Sequence, residues 1–259
     1  MENRYPQVDY DLVAETYNQR FGDHTPDPTE KALLSLVESS HAQNILEIGC
    51  GTGHWISILR NPGLSLYGAD LSYGMLAQAQ LSEGPFHLVQ THAEKLPFAH
   101  NHFDLIYCVN AVHHFKDPKK FIQEAYYSLQ PGGGIGILGH DPHRNNDHWY
   151  IYEYFDQVYQ NDLTRFTPWV QLIKWMEIAG LRNIRIVPVG KISADKIGRG
   201  VLEDPYLKKN ATSQLILVSD ADYYAGITKI QAALQEAEDQ GRVLVFPVDL
   251  TLEMIIGKK

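Results

Sequence analysis

Residues 45–55 read "ILEIGCGTGHW". An apolar run that suits a buried strand ends on three glycines spaced two apart, Gly49, Gly51 and Gly53, and a helical pattern, "GHWISILRN", follows at once. Glycine adopts left-handed backbone and lets another group come close to the main chain, so such a turn offers N–H groups to a ligand. The dinucleotide fingerprint G-x-G-x-x-G needs its third glycine at position 54, which is His54. The pattern is instead G-x-G-x-G, preceded by Glu47. Taken alone, the turn also fits a plain tight connection between strand and helix.

Outward from this unit, strand and helix patterns alternate. "SLYGAD" is a strand and "SYGMLAQAQL" a helix; "FHLVQT" and "FDLIYCVN" are strands, "KKFIQEAYYSL" a helix and "GIGILGH" a further strand. Apolar strands separated by helices imply parallel pairing with helices on both faces. Right-handed crossovers then give a doubly wound α/β sheet whose ligand sites lie at the carboxyl ends of the strands. "TEKALLSLVESS" reads as a helix with Thr29 as N-cap, and residues 8–21 as an amphipathic helix. Beyond residue 141 the rhythm changes to a polar stretch and then a dense aromatic one, "WYIYEYFDQVY". "PWVQLIKWMEIAGL" is a helix ended by Gly180, "IRIVPVG" a strand, "SQLILVSD" a strand, "ADYYAGITKIQAALQEAEDQ" a helix capped by Asp220, and residues 242–259 a closing strand. The expected division is an N-terminal lid helix over residues 1–29 and a domain over 30–259, with substrate-side insertions at about 141–166 and 191–240.

The chain has 259 residues, 44% hydrophobic, with a formal net charge of −9. That acidity, with no basic block, argues against a nucleic-acid partner, whose phosphates require clustered Lys and Arg. No window approaches ~18 continuous apolar residues, so no membrane span is expected. The start "MENRYPQVDY" lacks the basic-then-apolar order of a secretory signal. Cys50 and Cys108 lie in or beside strand-like apolar runs and read as free thiols in a reducing compartment, so a cytoplasmic location is expected.

Asp70 ends the second strand, seventeen positions after Gly53. An acid there can accept both hydroxyls of a ribose, or it can simply cap the helix that follows. With both features present, "ILEIGCGTG", "YGADLS", "THAEKLPF", "FDLIYCVNAVHHF" and "LQPGGGIGIL" stand in the order seen in class I S-adenosylmethionine-dependent methyltransferases, and the chain most resembles their small-molecule, type 11 branch. The resemblance spans residues 44–139 and fades beyond 140. It implies a seven-stranded, mostly parallel sheet with helical and aromatic lid insertions, and S-adenosyl-L-methionine as cofactor, leaving as S-adenosyl-L-homocysteine. It further implies Gly49, Gly51 and Gly53 in the turn against the methionine part, with Glu47 orienting that turn. Asp70 would take the ribose hydroxyls, Leu71 and Met75 would flank the adenine, and Ala93 and Glu94 would lie near its amino group. Asn110 and Ala111 would border the sulfonium, and Tyr17 and Arg20 would reach the carboxylate from a lid.

Such chemistry is an in-line displacement in which positioning does much of the work, and a base is needed only where the acceptor must lose a proton. His113, His114 and His140 are the catalytic candidates, and His140 is preferred because it directly follows the fifth strand; Tyr17 is a further base candidate. "HDPHRNNDH" holds side chains that ligate metals, but it reads as a polar loop and no metal is expected. Trp149, Tyr150, Tyr152, Tyr154, Phe155 and Tyr159 are expected either to wall a pocket for an aromatic, apolar or cationic small-molecule acceptor or to form a lid helix with one face buried. Two other readings compete: a non-catalytic S-adenosylmethionine-binding protein, and an NAD-dependent oxidoreductase, which lacks its third glycine. The oligomeric state is not legible.

Overall fold

The fold is that of a computed structural model, which describes residues 8–20, 28–81, 84 and 86–259. The strands are β1 (Asn44–Ile48), β2 (Ser65–Asp70), β3 (Phe86–Gln90), β4 (Phe103–Val109), β5 (Leu129–Gly139), β6 (His148–Trp149), β7 (Arg182–Ser193), β8 (Lys196–Ile197), β9 (Val245–Phe246) and β10 (Val248–Lys258). The helices are α1 (Pro28–Ser40), α2 (His54–Ile58), α3 (Tyr73–Leu81), α4 (Pro118–Ser128), α5 (Tyr150–Tyr154), α6 (Val158–Arg165), α7 (Trp169–Ala179), α8 (Ser213–Ile216) and α9 (Asp220–Asp239). Eight strands form one sheet in the order β3-β2-β1-β4-β5-β10, with β7 on the far edge of β10 and β6 continuing beyond β5 on the near one. The first five strands are mutually parallel, and β10 runs antiparallel to each of its neighbours. The sheet therefore has one strand more than expected, the two-residue β6.

Strand parity sorts the core into two layers. Leu46 and Ile48 of β1, with Ile106 and Cys108 of β4, face the apolar sides of α4 and α7, where Phe121, Ile122, Leu172 and Met176 are sealed from solvent. Ile45 of β1, with Leu105, Tyr107 and Val109 of β4, faces Leu33 of α1 and Ile56 of α2. A separate apolar cluster outside these layers joins Trp149, Tyr150 and Phe155 to Leu215, Ile230 and Leu234 and to Phe246. β8 and β9 form a small antiparallel pair beside it.

Several expectations need correction. Residues 8–20 form two 3₁₀ turns, Tyr10–Leu12 and Tyr17–Arg20, rather than one amphipathic helix, because only Val13 and Ala14 there are buried. Phe21 and residues 22–27 lie outside the described residues. α1 begins at Pro28, so Thr29 sits inside its first turn, buried, and does not cap it. "SQLILVSD" is not a strand: the Thr212 hydroxyl accepts from the Leu215 N–H and starts α8. Ser219, not Asp220, caps α9, accepting from the Asp222 N–H at 3.1 Å. The closing strand is split at Pro247, whose missing N–H interrupts pairing between β9 and β10.

Candidate active site

β1 delivers the chain into a turn in which Gly49, Gly51 and Gly53 all adopt left-handed backbone, with φ of +70°, +53° and +77°. Added side chains would meet different things at the three positions. A Cβ on Gly49 would stand 2.6 Å from the Ala111 Cβ, and one on Gly53 would stand 3.1 Å from the Ala79 Cβ. A Cβ on Gly51 would meet no protein atom within 4 Å. Gly49 and Gly53 are thus required by packing, whereas Gly51 keeps a space open. The turn is held by β2: the Gly49 and Cys50 N–H groups donate to the Ala69 carbonyl at 2.7 and 3.2 Å. The Gly51 N–H donates to Asp70 Oδ2 at 2.8 Å, and the Ser72 N–H donates to Asp70 Oδ1 at 2.9 Å. Asp70 therefore ties two loops together, while the cap of α3 is the Ser72 hydroxyl, which accepts from the Met75 N–H at 3.0 Å. Burial pushes the Asp70 carboxyl above its ordinary value, against the pull of these N–H groups.

Gly51 and Asp70 open onto a chamber of about 620 Å³. Leu71, Met75, Ala93 and Glu94 line its inner half, with Asn110 and Ala111 at the end of β4. Tyr17 lines it from the N-terminal segment. Asn110 takes left-handed backbone at φ +48°, and its side chain lies over Gly139, where a Cβ would come within 3.1 Å of Asn110 Oδ1. Glu94 also steadies the loop before α4, accepting from the Asp117 N–H at 2.9 Å. The segment around the two 3₁₀ turns covers this half. Asp11 accepts from the Ser72 hydroxyl at 2.6 Å and the Gly74 N–H at 2.7 Å, and Thr52 donates to the Asn18 side chain at 2.6 Å. These two donors hold the Asp11 carboxyl below its ordinary value.

Glu47 does not line the chamber. Its place in β1 shares the parity of Ile45, so it points into the apolar layer under α1 and α2, fully buried, and accepts from the Tyr107 hydroxyl at 3.1 Å. Burial raises its carboxyl well above the ordinary value of 4.5. Gly53 likewise supports the turn from outside the chamber. The side chain of Arg20 falls outside what the structure describes.

The outer half is built from the ends of β4 and β5 and from residues 140–252. Phe166 is its hub: His113 stacks on that ring at 4.0 Å, and His140 is tilted against it at 4.9 Å. Burial holds the His113 imidazole well below its ordinary value, and the charges of His114, Arg165 and His140 push it the same way. His114 Nε2 is engaged by the Tyr10 hydroxyl at 2.9 Å. His140 Nε2 is buried and makes no hydrogen bond among the described residues. Nearby charge links His140 to Asp147, whose Oδ1 accepts from the Thr251 N–H at 2.8 Å while Oδ2 is buried without a partner; burial raises this carboxyl. Arg165 also lines the outer half, its Nη2 donating to Asp162 Oδ1 at 2.8 Å and to the Ser213 hydroxyl at 3.1 Å.

The methyltransferase-domain profile of type 11 matches residues 46–137, the stretch from β1 through β5 that builds the cradle and the Asp70 loop. Over that stretch the chain is similar to the class I S-adenosylmethionine-dependent methyltransferases. A malonyl-[acyl-carrier protein] O-methyltransferase of Enterobacter lignolyticus is 31% identical over 138 residues, covering 51% of this chain and 55% of its own. The chain thus spans about half the length of the curated relative it matches. Among solved structures, a candidate methyltransferase of an antibiotic biosynthesis pathway from Anabaena variabilis has a TM-score of 0.67 at 22% identity, covering 88% of this chain and 96% of that one. Phosphoethanolamine N-methyltransferase 2 of Haemonchus contortus, solved with S-adenosyl-L-methionine, has a TM-score of 0.60 at 20% identity, covering 96% and 57%.

The residues lining the chamber fit S-adenosylmethionine, the molecule with which the Haemonchus contortus enzyme was solved. The space at Gly51 admits a ligand against the main chain, Asp70 stands ready to accept hydroxyl donors, and Leu71, Met75 and Ala93 offer apolar walls to a base. The expected aromatic wall is corrected. Of "WYIYEYFDQVY" only Trp149 lines the chamber; Tyr150 and Phe155 are sealed in the second apolar cluster, Tyr152 donates to Asp162, Tyr154 packs on Phe246 and Tyr159 donates to the Pro142 carbonyl. The polar loop is structural: Asp141 accepts from the His143 and Trp169 N–H groups and pairs with His143 Nδ1 at 2.8 Å. Among the described residues, no cluster of three or more His, Cys, Asp or Glu stands ready for a metal. Asp11, Asn18, Arg165 and Ser213 escaped sequence reasoning. Each lies in a stretch without a motif and reaches the site only through tertiary contact.

Proposed function

We propose that this methyltransferase moves the methyl group of S-adenosylmethionine to a small-molecule acceptor seated in the outer half of the chamber. One observation carries the reading: a single cavity runs from Gly51 and Asp70, past Asn110 and Ala111, to His113, His140 and Arg165. Cofactor and acceptor sites are therefore continuous, as transfer between two bound molecules requires. Phosphoethanolamine and malonyl-acyl-carrier protein appear in the names of similar proteins, and the acidic net charge of −9 disfavours a nucleic-acid acceptor. The two buried cysteines are unpaired, which supports a reducing, cytoplasmic setting, and no described helix is long and apolar enough to cross a membrane.

When bound, the cofactor supplies an activated methyl group on a sulfonium. In this reading Asp70 accepts the ribose hydroxyls, Gly51 lets the ligand lie on the main chain, and Tyr17 and the segment held by Asp11 exclude water from above. His140 is the base for an acceptor that must lose a proton. It lines the chamber, and with Nε2 buried, Nδ1 is the nitrogen left to take that proton. His113 is less suited because burial disfavours its charged form, and His114 is occupied by Tyr10.

A thermal-shift series with S-adenosylmethionine, S-adenosylhomocysteine, NAD and NADP tests the cofactor. A ligand at about 100 times its Kd adds ~2.7 kcal/mol of stability, and each kcal/mol moves the midpoint by roughly 2–4 °C for a chain of this size. A shift with the sulfur nucleosides alone is expected, and a shift with the nicotinamides alone would sink the reading. Transfer of a labelled methyl group to any member of an acceptor panel then separates an enzyme from a binding protein.

A further inference from the structure

Arg165 is the one arginine that lines the chamber among the described residues. Its side chain is only 7% exposed and that of its partner Asp162 only 1%. A buried guanidinium needs its N–H groups satisfied, and here the accounting is incomplete. Nη2 serves Asp162 Oδ1 and Ser213, while Nε is buried without a partner. Nη1 makes no hydrogen bond among the described residues, yet it is not sealed off. In a residue that lines the chamber, it is the donor left facing a ligand.

Asp162 does not satisfy the guanidinium alone. Its Oδ2 is taken by the Tyr152 hydroxyl and the Gln214 amide, both at 2.9 Å, so its negative charge is shared among three donors. The guanidinium also stands 5.7 Å from the centre of the Phe166 ring, on which His113 stacks. The carboxylates that line the chamber (Asp9, Asp11, Asp70 and Glu94) all belong to the inner half or the N-terminal segment. Trp149, Ile192, Tyr206, Ser213 and Leu250 give the chamber apolar or neutral polar surface, and Ser213 touches Arg165 itself. A cationic acceptor would meet repulsion there and find no acid to pair with.

We infer that Arg165 holds a carboxylate of the methyl acceptor, so that the acceptor is a monoanionic organic acid with an apolar body. The assignment deepens the function proposed above and rests on it. A carboxylate suits the site better than a phosphate, because Nη1 offers a single free donor nitrogen, which answers one carboxylate oxygen, whereas a phosphate dianion would bring more charge than that donor satisfies.

The test uses the protein saturated with S-adenosylhomocysteine and a panel of aromatic and aliphatic carboxylic acids, each paired with its amide and with the phosphate monoester of the matching alcohol. Calorimetry is expected to show acids binding at least about tenfold more tightly than their amides, the size of a charge-assisted bond, with phosphates no better than amides. Arg165→Gln should erase the preference for acid over amide. Because that change strands Asp162, the double variant Arg165→Leu/Asp162→Leu is measured beside it, leaving no unpaired buried charge. S-adenosylhomocysteine affinity within about threefold of wild type certifies that the variants are folded. Acids and amides that cannot be told apart on the wild type, including a panel in which neither binds, overturn the assignment, as does a preference that survives in both variants. Phosphates that bind more tightly than acids also overturn it. A wild-type protein that fails to bind S-adenosylhomocysteine overturns the proposed function instead.

Discussion

Gly49 and Gly51 differ in what their missing side chains make room for. Both sit in left-handed backbone, so alanine at either costs ~1–2 kcal/mol of strain. At Gly49 the new methyl also collides with Ala111, adding ~1–3 kcal/mol of overpacking. At Gly51 it enters the space reserved for the ligand. Gly49→Ala should therefore lower Tm by more than Gly51→Ala does, while Gly51→Ala should cost more than about tenfold in S-adenosylhomocysteine affinity. Paired melting curves and titrations check both halves, and equal effects of the two variants on affinity would refute the distinction. Glu47 makes a pH prediction. Its folded pKa is raised by burial above the ordinary 4.5, so the folded protein holds this proton more tightly than the unfolded chain. The stability this contributes is full below the ordinary value and is lost as pH rises through the raised one. Asp70 and Asp147 shift the same way and add to the slope. Urea unfolding between about pH 5 and about pH 8 should show wild type losing stability relative to Glu47→Gln, at up to ~1.4 kcal/mol per pH unit across the window. A variant that follows the wild-type slope would show that Glu47 does not titrate in that range.

At the scale of elements, the N-terminal segment is tied to the cofactor loops by polar contacts with little buried surface beneath it. Its apolar anchor is a small cluster of Val13, Ala14 and Met75. Asp11→Ala removes the acceptor for both Ser72 and Gly74. We expect faster hydrogen exchange over residues 10–17 and faster cofactor release, with Tm moved by no more than about 4 °C. A large fall in Tm would mean that the segment is part of the core instead. This is also the scale at which the limits of sequence reading lie. The sheet from β1 to β5 was legible because each strand is a short apolar run followed by its own helix pattern, and the cradle because glycine and Asp70 fall where a strand ends. Residues 8–20 misled because the apolar positions at helical spacing do not share one buried face: Val13 packs inward, Leu12 stays exposed and Tyr17 lines the chamber. "SQLILVSD" misled because an apolar run of that length suits a strand or a buried helix equally, and the Thr212 cap settled it. Glu47 was expected at the ligand from the family resemblance, but strand parity turned it to the opposite side. The aromatic stretch was read without knowing that a second core lay beside it.

Across the whole molecule, among the described residues, the layers around the sheet line the chamber through Ile48, Ala69 and Ala93, and the separate apolar cluster lines it through Trp149. The layers around the sheet support the cofactor half, and the cluster around Phe155 and Phe246 supports the outer half. Phe246 is fully buried, and Phe246→Ala should cost ~3–5 kcal/mol locally. Because this cluster is distinct from the sheet layers, S-adenosylhomocysteine affinity should fall far less than methyl transfer, and hydrogen exchange should rise first in α5 and α9. Uniform loss of protection across β1–β5 would show that the cluster and the sheet layers unfold as one. β5 and β10 lie side by side in the sheet, although residues 140–247 separate them in the chain. That adjacency bears on how such a protein changes over generations. The long excursion leaves from one strand and returns to its neighbour, so its outward-packed parts can be lengthened, replaced or re-lined while the register of the pair stays as it is. The family profile, which ends at residue 137, stops within two residues of the end of β5 at Gly139. Inheritance would then hold the first five strands fixed and leave acceptor choice to the parts of the excursion outside β6 and β7, which are paired into the sheet.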